Sequence, residues 1–67
     1  MNKDIFHGRW KQISGMVKQT WGNLSEQELI EVDGRIDRLE GLLQEKYGYA
    51  KGEVKRRLNG LLKDLDS

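Results

Sequence analysis

The sequence contains no cysteine, no proline and only one histidine. Without cysteine, the 67-residue chain can form neither a disulfide nor a thiolate zinc site, and a single histidine supplies too few ligands for a metal centre. No apolar run approaches the roughly 20 residues of a membrane-spanning helix, and no apolar signal segment stands near the first residue. We therefore expect a soluble cytoplasmic protein with no cofactor and no membrane partner.

The chain also lacks a large excess of charge of one sign. It carries 12 basic and 11 acidic residues, for a net charge of +1. Strong nucleic-acid or membrane-binding proteins usually carry a marked excess of one sign, so the composition argues against both classes. The charges are unevenly distributed, with net values of +3 in residues 1–23, −4 in residues 24–48 and +2 in residues 49–67.

Hydrophobic periodicity predicts an all-α protein of four short helices, because no segment shows the alternation of a strand. The first helix is predicted to end at a left-handed Gly22, and its apolar face holds Phe6, Trp10, Ile13, Val17 and Trp21. The third is predicted to end at Gly48, and its face holds Ile36, Leu39, Leu43 and Tyr47. The fourth begins near Lys51 and carries Val54, Leu58, Leu61, Leu62 and Leu65.

A capping box predicts the start of the second helix. Ser25 and Glu28 are spaced so that each side chain reaches the backbone amide of the other, and Leu24 can pack on Leu29. This helix is predicted from about Ser25 to Val32. Asp33-Gly34 then breaks it and offers a cap to the next helix.

The first and third predicted helices repeat one pattern at an offset of 26. Residues 8–22 and 34–48 share four identical positions of fifteen, and all five apolar positions stay apolar. Each copy precedes another predicted helix, which indicates two helical hairpins. We expect the hairpins to cross and pool their apolar faces in one core, with residues 1–67 forming a single domain.

Two tryptophans interleaved with lysines could stack on single-stranded nucleic acid. Trp10 and Trp21 align with apolar residues of the second copy, however, which favours a structural role. The predicted core comprises Trp10, Val17, Trp21, Leu39, Leu43, Tyr47 and Leu58.

Gly15 and Gly41 are predicted to lie mid-helix, where each costs about 1 kcal/mol relative to alanine. We expect one hairpin to cross the other at these glycines. The alternative is a surface at which the backbone of a partner approaches closely.

No motif indicates catalysis. His7 has no neighbouring nucleophile with a recognisable motif, and the acidic central segment lacks the ligand spacing of a calcium loop. One basic cluster is a candidate nucleic-acid contact, although nearby acidic residues favour a solvated helix face; it comprises Lys51, Lys55, Arg56 and Arg57. We predict that the protein is not an enzyme.

Two stretches resemble the CsbD-like family of small bacterial proteins, over about residues 2–55. The first contains Trp10-Lys11-Gln12, Gly15, Val17-Lys18, Trp21-Gly22 and Leu24. The second contains Gly34, Leu39, Gly41, Gln44-Glu45 and Tyr47-Gly48-Tyr49. The resemblance implies association with the general stress response, a fold of two crossed helical hairpins similar to a SAM-domain bundle, and no catalytic or ligand-binding residue.

These observations predict a non-enzymatic stress-response protein that acts through protein contacts or as an abundant hydrophilic protectant. We expect a monomer whose protein partner the sequence does not identify. The alternative is a weak nucleic-acid-binding module that uses the basic helix faces.

Overall fold

The computed structural model describes residues 3–66, with the side chains of residues 3–64. This part of the chain forms five α-helices: α1 Lys3–Gly8, α2 Trp10–Thr20, α3 Glu26–Val32, α4 Ile36–Tyr47 and α5 Lys51–Asp66. The all-α prediction is confirmed. The predicted number of four helices is wrong, because the first predicted helix is divided into α1 and α2.

The division falls at Arg9, whose backbone φ of −107° and ψ of 16° depart from helical values. The amide of Arg9 still donates to the carbonyl of Ile5 at 3.0 Å, so the bend leaves the i, i+4 spacing of the apolar residues intact. Hydrophobic periodicity therefore cannot detect it. Gly8 is the last residue of α1, and Trp10 after the bend is only partly buried, between the fully buried Phe6 and Ile13.

The chain leaves α2 without a left-handed residue, so the predicted role of Gly22 is wrong. Trp21 is the capping residue at the end of α2, with φ −118° and ψ 80°, and its amide donates to the carbonyl of Val17 at 2.8 Å. The amide of Leu24 then donates to the carbonyl of Trp21 at 3.1 Å, which closes the turn with ordinary backbone angles. At the end of α4, by contrast, Gly48 has φ 69° and caps the helix as predicted.

The capping box at the start of α3 is confirmed. The Ser25 hydroxyl accepts a hydrogen bond from the amide of Glu28 at 3.1 Å, and the Glu28 carboxylate accepts one from the amide of Ser25 at 2.9 Å. The break after Val32 is also confirmed, but Asp33 caps the end of α3 in the left-handed conformation, with φ 53°. It does not cap α4, which begins after Arg35 with no side-chain cap.

The internal duplication is visible in the helices, since α2 and α4 begin 26 residues apart. Two equivalent pairs lie at the centre of the core: Ile13 and Leu39 are fully buried, and so are Val17 and Leu43. The predicted start of α5 at Lys51 is confirmed, whereas the side chain of Leu65 lies outside the described residues.

The core is apolar and draws on all five helices and the turn before α3. It comprises Phe6, Ile13, Val17, Trp21, Leu24, Leu29, Val32, Leu39, Leu43, Val54, Leu58 and Leu62. The main helix contacts join α4 to α1, α3 and α5, and α2 to α1 and α5. The arrangement as two crossed hairpins is not confirmed by these contacts, in which α3 packs mainly on α4.

None of the helices in the described residues combines the length and the apolar character that crossing a bilayer requires.

Candidate functional site

The mid-helix glycines lie on open surface. A Cβ added at Gly15 or at Gly41 would have no atom of the surrounding structure within 4 Å, and both residues are exposed. The prediction that the hairpins cross at these glycines is therefore wrong. The helices that pack on α2 contact its opposite face, which carries the buried Ile13 and Val17.

Each glycine is the centre of an exposed four-residue face, and the two faces occupy equivalent positions of the repeat. The Gly15 face of α2 comprises Lys11, Gly15, Lys18 and Gln19. The Gly41 face of α4 comprises Asp37, Gly41, Gln44 and Glu45. At 100° per residue each set spans about 100° of its helix. The charges are opposite, because the Gly15 face carries two lysines and the Gly41 face two carboxylates.

The Gly15 face borders a shallow groove of about 330 Å³ between α2 and α3, named here the α2–α3 groove. Ile30 of α3 lines it with 66% of its surface exposed. At its edge, Lys18 Nζ lies 2.9 Å from Glu26 Oε1. Its lining is Trp10, Lys11, Ser14, Gly15, Lys18, Glu26, Leu29 and Ile30.

The Gly41 face borders a second groove, of about 580 Å³, between α3 and α4. Arg38 Nη1 donates to the carbonyl of Glu31 at 3.0 Å, which ties the end of α3 to α4. Carboxylates outnumber cations in its lining, which is Glu28, Glu31, Val32, Arg38, Gly41, Leu42 and Glu45.

The basic cluster of α5 does not form one surface. Arg57 donates to the Glu53 carboxylate from Nη2 at 3.1 Å and from Nε at 3.4 Å, and its guanidinium lies 4.6 Å from the centre of the Tyr49 ring. Arg56 approaches the same carboxylate at 4.0 Å. Lys55 instead lines a groove on the α4 side, while Lys51 is exposed at the start of the helix. Successive side chains diverge because each residue turns the helix by about 100°.

The predicted core residues are all buried or partly buried. Trp21 is 4% exposed, and its Nε1 donates to the Tyr49 hydroxyl at 3.3 Å. Tyr47 is partly buried and stacks on Tyr49 with ring centres 5.4 Å apart. Trp10 is partly buried beside Phe6, at 5.6 Å between ring centres. Val17, Leu39, Leu43 and Leu58 are buried.

Two carboxylates near the start of α3 have shifted pKa values. A hydrogen bond from Lys18, together with the charge of that lysine, lowers the pKa of Glu26. A hydrogen bond from the amide of Ser25, together with one from Lys46, lowers the pKa of Glu28. Both shifts arise from contacts that hold α3 in place. In the described part of the chain, no group of three or more side chains is placed to hold a metal ion.

Ile30 and Tyr49 were missed by the sequence analysis. Ile30 follows Leu29 and therefore falls about 100° away from the buried side of α3, which is a signal that the sequence does contain. Tyr49 lies in the turn between α4 and α5, where no helical periodicity applies.

The model of the CsbD-like family matches residues 4–56, which include both glycine faces. The chain belongs to the CsbD-like family. This family of bacterial proteins is associated with the general stress response.

Three relatives illustrate the similarity of this CsbD-like protein to others. It is 45% identical over 58 residues to a UPF0337 protein of Bordetella pertussis, covering 87% of this chain and 88% of the relative. It is 41% identical to the UPF0337 protein YjbJ of Escherichia coli K12, covering 87% and 84%. It is 40% identical to a UPF0337 protein of Pseudomonas aeruginosa, covering 87% and 89%. No solved structure matches the chain.

Proposed function

We propose that this CsbD-like protein acts without catalysis in the bacterial stress response, as a cytoplasmic single-domain protein that contacts other proteins through its Gly15 and Gly41 faces. The observation that carries the proposal is the open space around both mid-helix glycines. The crossed-hairpin arrangement of residues 1–67 is part of the same proposal.

Both glycines reduce the stability of the helices that contain them. An exposed glycine inside a helix is about 1 kcal/mol less favourable than alanine, and the folded chain packs nothing against either residue. A missing Cβ allows a partner helix to approach more closely than the usual interaxial distance of about 8–10 Å. Ile30, exposed in the groove beside Gly15, adds apolar surface that a protein partner can bury.

The test is complementation of a deletion strain under osmotic, acid and stationary-phase stress. Gly15→Leu combined with Gly41→Leu fills both faces, and we expect this variant to fail to restore survival. Gly60→Leu is the matched control, because Gly60 is also an exposed glycine within a helix with nothing within 4 Å. The control should restore survival as the wild type does.

The protectant hypothesis predicts a different result in the same strains. A protectant acts through its abundance and hydrophilic surface, so the double variant at equal abundance would protect as well as the wild type. That result would reject protein contact at the glycine faces.

A weak nucleic-acid-binding role remains the second proposal, through the basic faces of α5 that carry Lys51, Lys55, Arg56 and Arg57. Its cations are divided between two sides of α5, and Glu53 neutralises part of their charge. Binding to single- or double-stranded DNA that weakens steeply with added salt would support it. Absence of binding at low salt would reject it.

A further inference from the structure

We propose that the partner recognised by each glycine face is a second copy of this chain. The Gly15 face of one copy docks on the Gly41 face of the next, and α4 of that copy lies along the α2–α3 groove. This inference rests on the proposed function of the two faces as contact surfaces and adds the identity of the occupant.

The opposite charges of the faces are the first argument. Lys11 and Lys18 flank Gly15, whereas Asp37 and Glu45 flank Gly41. Lys18 shares its charge with Glu26 at 2.9 Å. In the described part of the chain, the other three charged side chains take part in no ion pair. They are therefore available to a second copy.

The spacing of the charges is the second argument. A rise of about 1.5 Å per residue places the α-carbons of Lys11 and Lys18 about 10.5 Å apart along α2. The same rise places those of Asp37 and Glu45 about 12 Å apart along α4. A glycine lies between the charged residues on each helix. When the glycines meet, each lysine therefore lies within about 1.5 Å of the level of one carboxylate along the helix axis, whether the helices run parallel or antiparallel.

The apolar content of the α2–α3 groove is the third argument. Ile30 is 66% exposed there, and Leu29 and Trp10 complete the apolar lining. A helix without a Cβ at Gly41 can approach the backbone of Gly15 closely and cover Ile30. Electrostatic attraction then favours the pairing of the Gly15 face with the Gly41 face, while the apolar contact supplies the affinity.

The two faces are different surfaces, so the contact is head to tail. A copy that uses its Gly15 face still presents its Gly41 face, and association can continue beyond a dimer into open chains. One face of an 11-residue helix offers less than the roughly 1,200 Å² that stable interfaces bury. We therefore expect a dissociation constant on the order of 0.1–1 mM, with monomers in dilute solution.

Sedimentation velocity over about 10 μM to 2 mM tests the association directly. The mean mass of the wild type should rise with concentration, and should rise less at high salt. Gly15→Leu and Gly41→Leu should each abolish the rise, since either one closes one half of the contact. Gly60→Leu should behave as the wild type. Circular dichroism establishes that each variant is folded.

Charge reversal tests which residues meet. Lys11→Glu, Asp37→Lys and Glu45→Lys should each weaken self-association about two- to fivefold, the range of an exposed ion pair. Because the contact joins two different faces, the compensating changes are combined in one chain. The Lys11→Glu/Asp37→Lys double variant should recover wild-type self-association if the helices run parallel. The Lys11→Glu/Glu45→Lys double variant should recover it if they run antiparallel. Recovery in neither double variant would overturn the proposed pairing.

Different results would reject self-association and the proposed contact function. A wild-type protein that stays monomeric at about 2 mM would overturn self-association. The contact function would still stand if the Gly15→Leu and Gly41→Leu double variant failed to complement the deletion strain, because the faces would then serve a different protein.

Discussion

The indole Nε1 of Trp21 donates a hydrogen bond to the hydroxyl of Tyr49 at 3.3 Å, which joins the turn after α2 to the turn between α4 and α5. A second contact joins the turn after α2 to the end of α4, from the amide of Asn23 to the hydroxyl of Tyr47 at 3.3 Å. Trp21 and Tyr47 are equivalent residues of the repeat. The two copies are thus connected at their ends by polar atoms on aromatic side chains.

Loss of Trp21 should unfold most of the protein. We expect Trp21→Ala to lower the free energy of unfolding by about 3–5 kcal/mol, because it leaves a large cavity in a small core. Tyr49→Phe removes only the hydrogen-bond acceptor and should cost about 0.5–1.5 kcal/mol. Urea denaturation followed by circular dichroism measures both. A Trp21→Ala protein with the wild-type midpoint would contradict the structural role of this residue.

The guanidinium of Arg57 should be coupled energetically to the ring of Tyr49. A double-mutant cycle with Arg57→Met and Tyr49→Leu should give a coupling energy of about 0.5–1 kcal/mol, the range of an exposed cation–π contact. The neighbouring Arg56 provides the control, because the ring contact in the structure is made by Arg57. A cycle with Arg56→Met should give a coupling energy near zero, and equal values in the two cycles would refute the contact.

Alanine substitutions at four glycines should have three different effects on the free energy of unfolding. Gly15→Ala and Gly41→Ala should each raise the free energy of unfolding by about 0.5–1 kcal/mol, because both sites are helical and open. Gly48→Ala should lower it by about 1–2 kcal/mol, because φ is 69° while the surrounding space is free.

Gly34→Ala should be the most damaging of the four. Its φ is 73°, and an added Cβ would lie 2.8 Å from Cδ2 of His7 and 3.3 Å from Cβ of Trp10. We expect a loss of at least about 2 kcal/mol, measured by the same urea titration. If Gly34→Ala were no worse than Gly48→Ala, the close approach of α1 and α2 to the α3–α4 turn would be incorrect.

The local chemistry of the sequence predicted those parts of the fold that depend on neighbouring residues. The capping box of Ser25 and Glu28, the left-handed Gly48 and the start of α5 at Lys51 are all observed. The bend at Arg9 was not predicted, because it preserves the helical spacing of the apolar residues. The exit at Trp21 was not predicted either, because a turn closed by the backbone of Leu24 replaces the glycine cap.

The candidate site was only partly predictable. The sequence singled out Gly15 and Gly41, but whether a helix covers them depends on tertiary packing, which periodicity does not specify. The crossing expected there is absent, and the alternative of a surface for a partner backbone became the candidate site. Lys55, Arg56 and Arg57 are adjacent in sequence, but the helix separates Lys55 from Arg57 in space.

The free energy of unfolding should decrease at acidic pH, because the cap of α3 depends on the charge of Glu28. The amide of Ser25 and the ammonium of Lys46 stabilise the charged form of Glu28, which lowers its pKa in the folded state. A lowered folded-state pKa contributes stability above the pKa of the unfolded chain, about 4.3 for glutamate. That contribution is lost as the pH falls through the folded-state pKa. We therefore expect the free energy of unfolding to be constant near neutrality and to fall below about pH 4.5.

Glu28→Gln isolates this contribution, because the amide oxygen can still accept from the amide of Ser25 but carries no charge. The variant should be less stable than the wild type at neutral pH, and the difference should shrink as both proteins are titrated into acid. Lys46→Met keeps the carboxylate and removes only the second cause of the shift, so it should raise the pKa of Glu28 part of the way toward its usual value. Urea titrations at several pH values measure the first effect, and carboxyl chemical shifts followed by NMR measure the second. A Glu28→Gln protein that parallels the wild type at every pH would show that the acid sensitivity arises elsewhere.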